Sequence, residues 1–359
     1  MSTLKVDAIR HNSATSDAIT TASDGTCTAR ITSINGGSAL SHRNVLINGA
    51  MTISQRGSTF SHVGSSNTNV LTMDRWKVRR SSMEFDTTIT HSTDSPDGFL
   101  NSLKITPDAV ETPSASQNGL IEQQIEGQSL QHFAYGTSSA KSITASFYAK
   151  SGSQNNGHNY TLQLRKYDSS NNTRIVTKAF TVTSSWQRFT MTFPGDTSND
   201  IKNSTDYTGF EFIFQLATGP DDLVAEQPTW TSTFTNWRGV TGNSNFMDNT
   251  NNEFYVTGCQ LEVGDTATTF EHRSHADELV RCQRYYQEIV NGNTQNVGTG
   301  FMFSATEIDV AIQFKTTMRT APSIVQSTGG NYFTVFGGGD SNAYVDGNWA
   351  TYGGTTSGI

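Results

Sequence analysis

Charged residues are scarce in this sequence. Asp, Glu, Lys and Arg together make up 16% of the 359 residues, and the net charge is −8. The densest basic cluster mostly alternates along a predicted strand and is too small for a phosphate-binding surface. It consists of Arg75, Lys77, Arg79 and Arg80. A nucleic-acid partner requires a larger positive surface than this, so the sequence predicts no nucleic-acid binding.

Cysteines and long apolar runs are also few. The three cysteines, Cys27, Cys259 and Cys282, are an odd number at wide spacing and form no C-x-x-C pair. We therefore expect buried free thiols in a protein assembled in a reducing cytoplasm. No apolar run approaches the ~20 residues of a membrane span, which predicts no membrane insertion. Residues 1–6 lack the apolar segment of a secretory signal.

Short polar strands and aromatic residues fill the chain instead. Hydrophobic residues make up 34% of the chain, accompanied by 31 glycines and 20 phenylalanines. Abundant Thr, Asn and Phe with little charge favour many short strands joined by polar turns. The composition predicts an all-β protein with room for one sizeable sandwich and smaller ends.

The region 45–275 carries the strand signals. Apolar and polar residues alternate with a period of two in segments separated by clusters of Gly, Asn, Ser and Asp. These segments are 142–150, 160–167, 175–182, 187–193, 209–216 and 253–262. In the second segment Tyr160, Leu162, Leu164 and Lys166 share one face. The pattern is typical of an antiparallel sandwich whose strands each bury one face.

The two ends of the chain look different from this middle region. Residues 1–44 carry too few apolar side chains for a core of their own. They are either a flexible arm or a segment whose apolar positions meet those of identical chains. A helix is predicted from Ala276 to Tyr285, with Leu279, Cys282 and Tyr286 on one side. Strands are then predicted at 301–303, 310–314 and 332–336.

Several ordered residue strings resemble phage tail-fibre proteins, of the marine and cyanophage kind, that contain a jelly-roll domain similar to carbohydrate-binding modules. The strings are Asn48–Met51, Gln55–Gly57, Asp74–Trp76, Gln124–Gly127, Ala140–Lys141, Gly258–Gly264, Ala267–Thr268, Phe270–Ser274 and Glu278–Tyr286. The opening residues 1–7 also resemble the start of many marine phage fibre proteins. Beyond Ser323 no resemblance is found.

The resemblance implies an all-β fold with a central jelly-roll β-sandwich. Residues 1–44 would form an N-terminal attachment and trimerisation segment, and 45–275 the jelly-roll domain. Residues 276–359 would form a short helix plus a C-terminal β domain at the distal tip. Among the motif residues, we expect Gly127, Gly258 and Gly264 at turns. Five charged residues are expected to pair or to cap loop ends: Arg56, Asp74, Arg75, Glu126 and Glu271.

The resemblance also implies a function and a location. The chain would be a trimeric tail fibre that mediates host attachment and is not an enzyme. Its partners would be two identical chains, a host surface glycan, and tail adaptor or nozzle proteins bound through the N-terminal segment. Its location would be the virion tail, after assembly in the host cytoplasm. Alternatives are a head fibre, decoration or tail adaptor without receptor binding, and a glycan depolymerase.

Two aromatic segments are candidates for glycan binding, which needs a flat ring with polar groups nearby. The first contains Trp230, Phe234, Asn236, Trp237 and Arg238, with Asn243 and Asn245 as further polar partners. The second is the Gly-rich tip with Tyr344 and Trp349. Both have a structural alternative: the tryptophans of the first fill the core or a trimer contact, and the tip is a stacked trimer axis or a poorly ordered end.

Signals for catalysis and for metal binding are weaker. Glu122 and Glu126 lie four residues apart, but their spacing in sequence does not fix the separation that glycosidases use. No H-E-x-x-H or G-x-S-x-G motif occurs. We predict no catalytic residues and no cofactor. Calcium remains an option through Asp265 with Glu262, or through Asp221 with Asp222.

Overall fold

A computed structural model shows how the chain folds. It describes residues 6–10, 12, 19–25, 27–29, 42–63, 69–81, 83–204, 208–232, 238–292, 295–304, 307–326, 333–336 and 342–345. Within these ranges the structure is built mainly from strands.

The strands of the N-terminal half are short at first and then lengthen. They are β1 (Ala8–Ile9), β2 (Ile19–Thr21), β3 (Cys27–Ala29), β4 (Thr59–His62), β5 (Asn69–Leu71), β6 (Lys77–Ser81), β7 (Thr87–Ser92), β8 (Ser102–Pro107), β9 (Asn118–Glu126), β10 (Ile143–Ser151) and β11 (Asn159–Tyr167). A 3-10 helix, Gly127–Phe133, follows β9.

The remaining strands complete the sandwich and the C-terminal hairpins. They are β12 (Thr173–Thr181), β13 (Gln187–Phe193), β14 (Thr208–Thr218), β15 (Leu223–Val224), β16 (Thr231–Ser232), β17 (Gly239–Val240), β18 (Phe254–Val263), β19 (Gly300–Met302), β20 (Ile308–Val310), β21 (Phe333–Phe336) and β22 (Asn342–Val345). Helix α1 is His275–Gln283, and further 3-10 helices are Pro220–Asp222 and Phe246–Asp248.

Two antiparallel sheets pack face to face as a jelly-roll β-sandwich. One has six strands in the order β13-β10-β18-β8-β7-β4, and the other has seven in the order β16-β12-β11-β14-β9-β6-β5. The predicted all-β jelly-roll class is confirmed. The six strands predicted from alternation are also confirmed, each within two residues of its predicted ends.

Alternation along the strands builds the core between the sheets. On β14, Phe210, Phe212 and Phe214 are fully buried, and Phe214 stacks against Trp76 with the ring centroids 6.5 Å apart. Burying side chains of this size stabilises a fold by about 1.5–3 kcal/mol each. Their neighbours on β14 point to the opposite face of the sheet. That outer face is where charged and amide side chains gather.

Helix α1 begins where the sequence predicts a helix. The side chain of Ser274 caps it by accepting a hydrogen bond from the backbone N–H of Asp277. Cys282 is buried as predicted, whereas Leu279 and Tyr286 are half-buried. The buried side of α1 also includes Glu278, which accepts a hydrogen bond from the backbone N–H of Asn48. None of the helices in the described ranges is long and apolar enough to cross a membrane.

The residues just after α1 fasten it to the seven-stranded sheet. Arg284 forms a two-pronged ion pair with Glu126, with both nitrogen–oxygen distances 2.9 Å. The guanidinium of Arg75 lies 3.4 Å from the ring centre of Tyr285 and donates to the carbonyl of Gln124. We call these four side chains, Arg75, Glu126, Arg284 and Tyr285, the helix junction. Burial opposes ionisation of Glu126, but hydrogen bonds from Arg284 and Tyr285 outweigh it and lower the pKa of Glu126.

The other motif residues also have structural roles. Asp74 accepts hydrogen bonds from the backbone and side chain of Gln55 at 2.7 and 2.6 Å. The guanidinium of Arg56 lies 3.6 Å from the ring centre of Tyr286. Glu271 accepts the backbone N–H groups of His42 and Asn44. The pairing and capping roles expected for these residues are therefore confirmed.

Two of the motif glycines, Gly258 and Gly264, have positive φ angles but lie in different surroundings. Gly264 follows β18 at a bend, as expected, with φ +137°. Gly258 was predicted at a turn, but this is wrong because it lies inside β18. Its φ is +61°, and a Cβ there would come within 2.9 Å of the rings of both Phe99 and Tyr148. Gly258 therefore serves a local irregularity where β18 shifts its register against β10.

The ends of the chain contain small antiparallel sheets. Strands β1, β2 and β3 form one, β19 pairs with β20, and β21 pairs with β22. The predicted strand at 310–314 is wrong after Val310, because β20 ends there and includes residues 308–310 instead. Because mostly polar residues precede Ile308, the sequence shows no alternation that would mark the start of this strand.

Candidate functional site

The outer face of the seven-stranded sheet carries many polar side chains, with the buried Leu120 and Ile213 between them. Four adjacent strands, β11, β14, β9 and β6, contribute to it. We call this set the outer polar face. Its members are Lys77, Arg79, Glu122, Gln124, Gln163, Arg165, Tyr167, Glu211 and Gln215.

Strand register brings these side chains together. Arg165 lies opposite Glu211, and Glu211 lies opposite Gln124 on the next strand. Lys77 lies opposite Glu122 on β9. Directly opposed residues on one sheet face have Cβ atoms about 4.5–5.5 Å apart, so each opposed pair can interact directly.

Ion pairs and amide contacts fix the orientation of these side chains. Glu122 lies 2.7 Å from the ammonium of Lys77 and 3.2 Å from the guanidinium of Arg79. Glu211 is bound by the guanidinium of Arg165 and accepts a 3.1 Å hydrogen bond from the amide of Gln124. Such contacts hold the face in one arrangement before any ligand binds.

An amide pair extends the face beyond the charged residues. The side chain of Gln215 donates to that of Gln163 at 3.0 Å, and both are buried. Tyr167 lies at the end of β11 and is half-buried, with the guanidinium of Arg165 5.8 Å from its ring centre. Burial, helped by the charge of Glu211, raises the pKa of Tyr167, so its hydroxyl is neutral at physiological pH. The face thus combines buried carboxylates and a buried amide pair with partly exposed cations, the amide of Gln124 and one aromatic ring.

A segment after β16 forms a rim along one end of this face. The guanidinium of Arg238 lies 2.8 Å from the carboxylate of Asp222, and the backbone N–H of Val240 donates to the hydroxyl of Thr161 at 2.9 Å. Thr161 is on β11, on the same side as Gln163, so residues 238–243 cross the sheet at that end. Burial lowers the pKa of Arg238, and the charges of Arg79 and Arg165 lower it further.

The predicted aromatic sites are only partly described. Phe234, Asn236, Trp237 and Trp349 lie outside the described residues, and Tyr344 lies on β22 with its side chain outside them. Arg238 forms part of the rim. Asn243 accepts a hydrogen bond from Thr161, and Asn245 caps the 3-10 helix that follows it.

Trp230 packs against the sandwich. Its ring centre lies 5.6 Å from that of Tyr135 and 5.8 Å from that of Phe210, and its indole N–H donates to the carbonyl of Pro194. Beneath it the buried ammonium of Lys166 lies 5.6 Å from the ring centre. Lys166 bonds to the carbonyls of Asn199 and Asp200 and pairs with Asp196. These contacts match the core-filling alternative for this tryptophan.

The outer polar face was not predicted as a site. One signal for it was present, since Lys77 and Arg79 belong to the alternating basic cluster, and alternation places such residues on one side of a strand. The third member at that spacing, Arg75, belongs to the helix junction. Arg80 points the other way, with 1% of its surface exposed, and pairs with Asp86.

The carboxylates considered for catalysis or calcium lie apart from one another or have partners in the protein. Glu122 and Glu126 are four residues apart on β9, which corresponds to about 13 Å along a strand and exceeds the separations that glycosidases use. The carboxylate of Glu262 accepts hydrogen bonds from Thr268 and Gln260, and that of Asp222 pairs with Arg238. In the described ranges no three His, Cys, Asp or Glu residues are grouped as metal ligands.

Comparisons with known proteins give weak structural likenesses. No protein-family model matches the sequence, and a search of curated proteins finds no match. The enzymatically active domain of tailspike protein 4 of bacteriophage CBA120 is similar with TM-score 0.30 and 10% identity, covering 62% of this chain. This chain spans 21% of that one.

Carbohydrate-binding modules are also among the similar structures. A family 11 module from a cellulosomal cellulase of Clostridium thermocellum has TM-score 0.28 and 12% identity, covering 61% of this chain and 100% of its own. A family 16 module has TM-score 0.25 and 12% identity, covering 48% and 84% respectively. At such scores these likenesses carry no inference about the activity or partners of this chain.

Proposed function

We propose that this chain is a non-catalytic glycan-binding protein and that the outer polar face is its binding site. The observation that supports this is the set of fixed amide, guanidinium, ammonium and carboxylate groups on one sheet face. Sugar hydroxyls donate and accept hydrogen bonds, and these groups supply both kinds of partner. Because ion pairs already hold the side chains, a ligand loses less affinity to their ordering.

Tyr167 supplies the apolar part of this site. The faces of a sugar ring present C–H groups, which pack on aromatic rings, while its edge presents hydroxyls. Tyr167 lies beside Arg165 on the same sheet face, so one sugar could contact both a ring and a charged donor. Affinity for one glycan chain is expected to be low, because the face is shallow and its donors already have protein partners.

A glycan array probed with the full chain tests this proposal. We expect binding to a subset of glycans, and we expect Tyr167→Ala to weaken it by about tenfold, the effect of losing about 1.4 kcal/mol. Tyr148→Ala is the matched control, because Tyr148 is a half-buried tyrosine on the six-stranded sheet. Equal loss in both variants, or no binding to any glycan, would contradict the proposal.

We further propose that the chain works as a homotrimeric phage tail fibre that attaches the virion to its host. Residues 1–44 would dock on tail adaptor or nozzle proteins, and the sandwich would reach the cell surface. Three linked weak sites raise avidity by about 10²–10⁴ over one site. The support is the sequence resemblance to phage fibres together with the polar face.

Two measurements test this finer proposal. Light scattering coupled to size-exclusion chromatography should give three times the chain mass of 39.1 kDa. Purified protein should also compete with virions for adsorption to host cells, and Tyr167→Ala should compete less well. A monomer at high concentration would contradict the trimer, and failure to compete would favour a head fibre, decoration or tail adaptor role.

A further inference from the structure

On the outer polar face and its rim, the carboxylates are buried more deeply than the cations. The carboxylates of Glu122, Glu211 and Asp222 have side-chain exposures of 0, 2 and 0%. The four cations that pair with them are partly exposed. Their side-chain exposures are 14% for Lys77, 25% for Arg79, 19% for Arg165 and 28% for Arg238. An approaching ligand therefore meets positive groups first.

The same residues also carry more positive than negative charge. In the described ranges four cations, Lys77, Arg79, Arg165 and Arg238, pair with three carboxylates, which leaves 4 − 3 = +1. The surplus lies at Glu122, because Lys77 and Arg79 share this one carboxylate. The exposed Asp221 lies beside Asp222 and offsets this surplus at the rim, so the positive charge is concentrated at Lys77 and Arg79.

Arginines from three elements contribute to this site. Arg238 comes from the rim and lies within electrostatic reach of both Arg79 and Arg165, which are on β6 and β11 with β9 and β14 between them. An anion bound beside Arg238 would interact favourably with its charge. A guanidinium binds a planar carboxylate or a sulfate through two parallel hydrogen bonds, which a neutral hydroxyl does not permit.

We infer that the glycan bound by this face is acidic and that Arg79, with Lys77, Arg165 and Arg238, binds its carboxylate or sulfate groups. This inference rests on the proposed function and narrows it to one class of saccharide. A neutral glycan would cover partly exposed cations without compensating their charge, and it would therefore bind less well.

The experiment compares matched ligands on the full chain. An array should contain acidic polysaccharides, each paired with the same polymer after reduction of its carboxyl groups to alcohols, together with sulfated polymers and duplex DNA. Calorimetry then measures the best pair. We expect the acidic form to bind at least about tenfold more tightly, and the ratio to shrink as salt rises from about 0.05 to 0.5 M. Comparing the affinities of sulfated and carboxylated ligands shows which of the two acidic groups the face binds more tightly.

Two variants assign the effect to this face. Arg79→Gln and Lys77→Gln each remove one partly exposed cation and leave Glu122 paired with the other. Each should weaken binding of the acidic form more than that of the reduced form, so that the preference for the acidic form falls by about tenfold. Lys141→Gln is the control, because it removes one positive charge from an exposed residue that precedes β10 of the other sheet. Circular dichroism verifies that the variants fold.

The outcomes separate this inference from the proposed function. Equal affinity for acidic and reduced forms would overturn the acidic preference and leave glycan binding intact. DNA binding as tight as that of the acidic polymer, or an equal loss in Lys141→Gln, would also overturn it, since either result indicates a non-specific effect of charge. Absence of binding to every saccharide would overturn the proposed function itself.

Discussion

Strand β9 carries one glutamate in its middle and one at its end, and the fold uses them in different ways. Glu126 pairs with Arg284, 158 residues away, and so joins the sandwich to the segment after α1. Glu122 pairs with Lys77 and Arg79, which lie on the neighbouring strand of the same sheet. The first pair connects separate parts of the fold. The second lies between two strands that the backbone hydrogen bonds of the sheet already join.

This difference separates structural charge from charge available for binding. At the helix junction, the arginines are held between elements, and Arg75 is covered by the ring of Tyr285. On the outer polar face the cations project outward from buried carboxylates. We therefore expect changes at the junction to reduce stability and changes on the face to reduce binding.

The largest effect is expected from Arg75→Ala. It removes the stacking on Tyr285 and the hydrogen bond to the carbonyl of Gln124, both at a partly buried position. The free energy of unfolding should fall by about 2–4 kcal/mol. Urea denaturation followed by fluorescence measures it. Arg75→Lys should recover little, because an ammonium lacks the planar group that stacks, and full recovery would contradict this account.

A matched pair of arginine variants gives the next largest effect. Arg284→Gln leaves Glu126, which is 5% exposed, without its two-pronged partner, and should lower the free energy of unfolding by about 1–2 kcal/mol. Arg79→Gln should change it by less than about 0.5 kcal/mol, because Glu122 keeps Lys77. If Arg79→Gln proved the more destabilising of the two in denaturant titrations, the assignment of roles would be reversed.

Acid should lower the stability of the fold through two carboxylates, Glu126 of the helix junction and Glu271. The pKa of Glu126 is lowered, and so is that of Glu271, where burial is outweighed by backbone N–H groups and Arg273. A carboxylate with a lowered folded-state pKa stabilises the fold above its ordinary value of 4.5, and that contribution is lost as the pH falls through the folded-state value. Thermal unfolding from pH 7 to pH 3 should show this loss, and Glu126→Gln should show less of it.

The smallest effect concerns the thiols. Cys259 and Cys282 are buried and free, and burial raises the pKa of each thiol, so neither reacts as a thiolate in the folded protein. In a Cys27→Ser background, a thiol reagent should label nothing until urea is added, when two thiols should react. Rapid labelling in the native state would contradict the burial of these residues.

Alternation predicted much of the sandwich from the sequence alone. Tyr160, Leu162, Leu164 and Lys166 were expected on one face, and all four are buried. Lys166 is accommodated there because two backbone carbonyls and Asp196 surround its ammonium. Alternation with a period of two predicts which residues of a strand share a face, but not which partners their side chains contact.

The candidate site was harder to predict because it depends on strand order. Arg79, Glu122, Glu211 and Arg165 come from four adjacent strands of the sheet, β6, β9, β14 and β11, and no two of these that pair with each other are consecutive in the chain. In sequence, each appears as an ordinary polar residue on a solvent face. The sequence instead predicted a site at the aromatic residues near 230. Of these, Trp230 packs on the sandwich and donates a hydrogen bond to the carbonyl of Pro194.

The hydrogen bonds of Glu271 to His42 and Asn44 have a mechanical consequence. They place the first and last residues of the sandwich side by side, and Leu261 and Val45 are bonded there too. A pull applied to the two segments that flank the sandwich would therefore load these hydrogen bonds before it loaded the rest of the two sheets.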